Sequence, residues 1–144
     1  MGSNPTGTTK KKSMEYNTEN MEYTRGKLES EIDKFLESKY RNVWLIADPV
    51  RVYVRKSQRL LDGKNVKSFD MANVEVDPEY WRRGCMKMTI ETILRKSAEN
   101  GFDIVYVESV LNKHVSEYLR SLPGWERFGK EDEFNINFIH RNNV

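Results

Sequence analysis

The stretch that most narrows the possible folds of this chain runs from residue 68 to residue 107. Residues 68–76 read as a strand, and Asp77-Pro78 stops it, because proline donates nothing to a ladder and restricts the residue before it. Residues 83–99 then place Met86, Ile90, Ile93 and Leu94 on one helical stripe, ended by Asn100-Gly101 at the position of a left-handed cap. Ile104-Val105-Tyr106-Val107 follow as a nearly continuous apolar run, the pattern of a strand covered on both faces. Strand, helix and strand in that order make a crossover unit.

The flanking segments decide what the crossover is built into. Over residues 24–40, Leu28, Ile32, Phe35 and Leu36 recur at helical spacing, which predicts an amphipathic helix. Residues 43–47 and 50–54 read as two strands separated by the turn signal Asp48-Pro49. The second alternates Val50, Val52 and Val54 against Arg51, Tyr53 and Arg55, so it belongs half-buried in an antiparallel sheet. Asp62-Gly63 marks a hairpin-like turn. After the crossover, Val115, Tyr118, Leu119 and Leu122 share one side of a short helix over residues 113–122, broken by Pro123-Gly124, and residues 134–140 alternate as a last strand. Residues 1–20 hold hardly an apolar side chain and are expected to form a disordered tail ahead of one domain at residues 21–144.

Composition excludes several classes of function. A chain of 144 residues buries a real core without staples, and no apolar run is long enough to span a membrane. No apolar run follows Lys10, Lys11 and Lys12 of the kind a secretory signal needs, and the single cysteine, Cys85, rules out a disulfide framework and a zinc-type cluster. A cytoplasmic protein without metal is therefore expected. The formal net charge of +2, from 24 basic and 22 acidic residues, gives no reason to expect a nucleic-acid partner.

The chemistry-bearing stretch is Val74-Glu75-Val76-Asp77-Pro78-Glu79-Tyr80-Trp81-Arg82-Arg83-Gly84. A helix opening at such a turn has first N–H groups without intrahelical partners and a positive dipole end, so backbone alone can bind a diphosphate. Glycine removes the Cβ that would block close approach. This stretch resembles the acyl-coenzyme A motif of the GNAT N-acetyltransferases, where a strand ends in Val-x-Pro and a basic, glycine-containing turn opens a helix. The likeness continues through Val107-Glu108-Ser109-Val110-Leu111-Asn112, the helix that Asn112 leads, and Pro123-Gly124-Trp125-Glu126. It implies an α/β (α+β) fold, with a mixed, mostly antiparallel central sheet, a strand-helix-strand crossover and helices on both faces. Two positions depart from the family pattern: Trp81 stands where Arg or Gln is usual, and Met86 where the family keeps Gly or Ala.

The resemblance implies acetyl-coenzyme A as cosubstrate and direct attack on it by a primary amine, either a small molecule or a protein lysine or N-terminus, with no covalent enzyme intermediate. It places the cosubstrate against Val74, Val76, Trp81, Arg82, Arg83, Gly84, Cys85, Met86 and Asn112. Glu108 and Glu75 are the candidate bases, Glu108 standing at the end of an otherwise apolar strand, where it is either a buried catalytic carboxylate or a solvated strand end. Tyr118 is the candidate acid for the leaving thiolate, or else a member of the core stripe. Cys85, beside two arginines, reads as a small buried helix residue rather than a nucleophile. A catalytically silent GNAT-like binding protein is the alternative that Trp81, Met86 and the placement of Tyr118 motivate. A monomer or homodimer suits either reading.

Overall fold

The structure is a computed structural model, and it describes residues 18–108, 113–129 and 136–142. Helix α1 (Thr18–Glu37) leads into strands β1 (Asn42–Ala47), β2 (Val50–Leu61) and β3 (Lys64–Val76). A 3-10 turn at Pro78–Tyr80 precedes helix α2 (Cys85–Glu99), then strand β4 (Ile104–Val107), helix α3 (Lys113–Ser121) and strands β5 (Trp125–Phe128) and β6 (Asn137–Arg141). The six strands form one sheet in the order β1-β2-β3-β4-β6-β5, with β3 and β4 parallel and every other pair antiparallel.

Packing explains most of these choices. In α1, Thr24, Leu28, Ile32 and Phe35 are buried at spacings of four, four and three, so one stripe of the helix meets the sheet. That stripe starts earlier than the apolar pattern suggests, because α1 already begins at Thr18, inside the stretch expected to be a tail. The Lys56 ammonium donates to the carbonyls of Phe35 (3.0 Å) and Ser38 (2.9 Å) at the C-terminal end of α1, where the helix dipole favours a cation. Helix α2 buries Cys85, Met88, Thr89, Ile90, Thr92, Ile93 and Ser97, while Met86 and Leu94, expected at the centre of the stripe, only flank it. Its end is the expected cap: Gly101 has φ +80° and the Phe102 N–H donates to the Ser97 carbonyl at 3.0 Å.

The expectation of helices on both faces is not met among the described residues. The buried residues of all three helices, Leu28 of α1, Ile93 of α2 and Leu119 of α3 among them, join one cluster with Leu45, Val52, Phe69, Val105 and Phe138 of the sheet. Handedness gives the reason. Both β3-α2-β4 and β4-α3-β5 join parallel strands and advance across the sheet in the same direction, so right-handed crossovers lay both helices on one side. The opposite side holds a small cluster of Leu61, Ile104, Tyr106 and Ile139 beside a set of paired arginines and carboxylates. Strand β5 was expected only as a glycine-aromatic exit from the preceding helix, yet Trp125–Phe128 pair with β6 and make the sheet edge. The last strand is shorter than expected, and of the alternating set Phe134 and Asn135 lie outside the described residues.

Candidate active site

The site begins where β3 parts from β4. Residues 68–71 of β3 pair with Ile104–Val107, and the last bond across the pair runs from the Glu108 N–H to the Met71 carbonyl at 3.0 Å. Beyond it β3 continues to Val76 with β2 on one side and, among the described residues, no strand on the other. A register shift coincides with the parting: Val54 pairs with Met71 and Tyr53 with Asn73, so Ala72 is the extra residue of a β-bulge. A bulge bends and twists its strand, which turns the end of β3 away from β4. Val74 and Val76 lie along this unpaired length, half-buried against the helix-side core.

At the far end of β3 the chain turns through Pro78–Tyr80 and enters α2. Trp81 is 62% exposed, and its indole N–H donates to the Val76 carbonyl at 2.7 Å, so the ring folds back over the strand end rather than across the helix opening. Arg82 has φ +61° and Gly84 has φ +88°, two left-handed residues within three positions. Gly84 is the N-cap of α2, and no side chain caps it. Its carbonyl accepts the first helical bond, from the Met88 N–H at 2.9 Å. A Cβ at Gly84 would meet only the Met21 Cε of α1, at 3.5 Å, so the glycine is required by its backbone angle and leaves the approach to the turn open.

The other candidate residues divide between wall and interior. Met86 is half-buried and packs against the core. Cys85 is buried, 2% exposed, and is closed to any acceptor. Arg82 and Arg83 form no ion pair among the described residues, in contrast to the arginines of β2. Tyr118 is half-buried on α3 against the core, and burial, with the nearby charge of Glu91, pushes its phenol up. Asn112 lies outside the described residues.

Glu108 stands at the parting point and Glu75 further along the unpaired length of β3, both on the open side of the sheet, and each is held by an arginine. Arg55 of β2 bonds the Glu108 carboxylate and also Asp70 Oδ2 at 3.4 Å. Asp70 is fully buried, bonded by Arg59 (2.8 Å), Ser57 (2.8 Å) and Ser68 (2.6 Å), while the Arg59 guanidinium stacks 3.5 Å above the Tyr106 ring. Burial opposes the charge of Arg55, yet the hydrogen bond and charge of Glu108, with the charge of Asp70, hold its pKa above the ordinary arginine value. Arg51 does the same for Glu75, which it meets at 3.3 Å while also bonding Asp48 (2.6 Å) and Asp77 (2.7 Å). Those bonds, to Asp77 first, raise its pKa.

Sequence reasoning missed Asp70, Arg51, Arg55 and Arg59 as parts of the site. Counting outward from the Asp62-Gly63 turn would have found the inner members, since a two-residue hairpin puts Arg55 opposite Asp70 and Ser57 opposite Ser68. Arg51 escapes that count, because the bulge at Ala72 shifts the register before it. No group of three or more His, Cys, Asp or Glu that could hold a metal occurs among the described residues, and no described helix is long and apolar enough to cross a membrane.

No protein-family model matches the sequence, and no curated protein matches it. Solved structures do match the fold. The ribosomal-protein-S18-alanine N-acetyltransferase from Escherichia coli aligns over 89% of this chain and 91% of its own, with a TM-score of 0.52 at 14% identity. The KacTA–DNA complex aligns over 80% of this chain and 76% of its own, with a TM-score of 0.52 at 17% identity. The AtaT toxin bound to acetyl-CoA and the C-terminus of the antitoxin AtaR matches over 62% of this chain, with a TM-score of 0.46 at 19% identity, and this chain spans 57% of that one. Six mostly antiparallel strands, the β3-α2-β4 crossover and the parting of its two strands are the architecture of the GNAT N-acetyltransferases, and this chain has that fold.

Proposed function

We propose that this protein is an acetyl-CoA-dependent N-acetyltransferase that transfers acetyl to a primary amine by direct attack. The observation that carries the reading is the uncapped, left-handed Gly84 opening α2 beside the unpaired end of β3. A diphosphate fits the first N–H groups of α2, with Arg82 and Arg83, which form no ion pair among the described residues, as its cations. The free edge of β3 at Val74 and Val76 offers backbone groups to an amide-bearing arm, as an added strand would use them. A fold neighbour that is itself an N-acetyltransferase supports the same reading.

Each residue then has a limited task. Gly84 and the α2 N-terminus hold the donor, the β3 edge orients it, and an N–H of that edge polarises the acyl oxygen. Tyr118, a neutral phenol whose pKa burial and the charge of Glu91 push further up, is the side chain suited to give a proton to the leaving thiolate. When bound, acetyl-CoA supplies the activated acyl group. Glu75 and Glu108, tied to Arg51 and Arg55, line the acceptor side.

Titration calorimetry with acetyl-CoA, with and without Gly84→Leu, tests donor binding, and thiol release with a panel of amines tests turnover. Binding that the substitution abolishes, together with thiol release on at least one amine, is the expected outcome. Binding without turnover on any amine would favour the silent, partner-binding reading, which the arginine-engaged carboxylates specifically motivate.

A further inference from the structure

The proposed reaction demands a neutral amine, because an ammonium has no lone pair with which to attack. At pH 7 roughly one peptide α-amine in seven is neutral, against about one lysine ε-amine in 2,500, on ordinary pKa values of about 7.8 and 10.4. A site that acetylates lysine near neutral pH therefore gains from a proton acceptor at the parting of the strands.

Among the described residues, the two candidate carboxylates are already engaged. Glu108 accepts from Arg55, and the groups facing the pair are Asp70 from β3, Arg59 from β2 and the Tyr106 phenol from β4. Glu75 accepts from Arg51, which Asp48 and Asp77 hold on its other donors. Each carboxylate is thus committed to an arginine through a charge-assisted hydrogen bond, and each arginine is itself fixed from several sides. The imidazole of His140 is turned elsewhere: it pairs in register with Val105, two residues short of the strand end, and its ring lies 5.3 Å from that of Trp125. Tyr118, held protonated, is no base.

Resting on the acetyl-transfer reading above, we propose that the acceptor enters this site already neutral: it is a primary amine of low basicity, such as the α-amine of a peptide, in preference to a lysine side chain. Its nitrogen bonds the acyl carbon as the carbon–sulfur bond breaks, and the proton that nitrogen sheds makes good the one Tyr118 gives to the departing sulfur. No enzyme carboxylate needs to change charge.

The test uses the full chain, acetyl-CoA and one peptide carrying both a free N-terminus and an internal lysine, with the modified nitrogen located by mass spectrometry from pH 6 to 10. At pH 7 the α-amine should be acetylated over the lysine by about 100-fold or more, the gap narrowing toward pH 10 as lysine deprotonates. Glycinamide, a small α-amine, separates the two sources of such an acceptor: it competes equally if the site reads only the amine and poorly if it reads the peptide. Lysine acetylation matching the α-amine at pH 7, or a pH profile that levels at the same pH for both amines, would overturn the inference while leaving acetyl transfer standing. Donor binding with no amine acetylated would instead remove the reading on which it rests.

Discussion

Phe69 and Asp70 are neighbours on one strand, both without exposed surface, and they look at opposite sides of the sheet. Phe69 meets Phe35 of α1 and Phe102 edge-on, with ring centroids 6.1 and 5.4 Å apart, in a cluster to which all three helices contribute. Asp70 meets Arg55, Arg59 and Ser57 of the adjacent strand and Ser68 of its own. One side is thus held by area removed from water, which is indifferent to partner identity. The other is held by a few directional bonds, each of which fails if one partner goes. On the proposed function the roles follow the same division: the helix side builds the donor turn, and the open side sets the charge around the acceptor.

The largest effects should come from this adjacent pair. Phe69→Ala removes a buried ring and should cost about 3–5 kcal/mol in denaturant unfolding. Asp70→Ala should cost about 3–5 kcal/mol for a different reason, the stranding of Arg59 and Arg55. Pairing Asp70→Leu with Arg59→Met separates the causes, because apolar groups of similar size can replace a buried ion pair at little cost. That double variant should recover part of the loss. A double variant no more stable than Asp70→Ala would mean that the two sides do not differ as argued.

Gly84→Leu comes next. The left-handed angle costs a branched residue about 1–2 kcal/mol, and the nearest atom, Met21 Cε, lies at ordinary contact distance. The fold should survive, as a cooperative melt would show. Arg51→Gln should lower the melting temperature less than Asp70→Ala, since the partners it leaves behind are partly solvated. The smallest effect concerns alkaline pH. Burial pushes the Tyr106 phenol up, so the fold favours its neutral form. That contribution is complete below the unfolded value of about 10 and is lost as pH rises through the folded value. Tyr106→Phe should therefore flatten the decline of stability above pH 10, and an unchanged decline would assign it to other groups.

The helix-covered side was largely legible in the sequence, because Leu28, Ile32 and Phe35, and Val50, Val52 and Val54, advertise their periods directly. The open side was not. Lys56, Ser57, Gln58 and Arg59 are poor strand formers, so β2 was expected to stop near Val54, yet it runs to Leu61 because Ser57 and Arg59 find Asp70 across the hairpin. Trp125–Phe128 are too short and too polar to read as a strand, and become one by pairing with β6. Of the candidate site, the Gly84 turn and the positions of Glu75 and Glu108 were readable. That both carboxylates would be tied to arginines was not, since those contacts bridge 24 and 53 residues.

The central claim is that the α2 N-terminus at Gly84 accepts the diphosphate of acetyl-CoA, and thermal unfolding at increasing cosubstrate concentration tests it most directly. A ligand of the native state stabilises by about 2.7 kcal/mol at a hundred times its dissociation constant. The melting temperature of the wild-type chain should climb steadily with acetyl-CoA, while that of Gly84→Leu stays level. A flat response of the wild-type chain at millimolar cosubstrate, or an equal climb in both proteins, would contradict it.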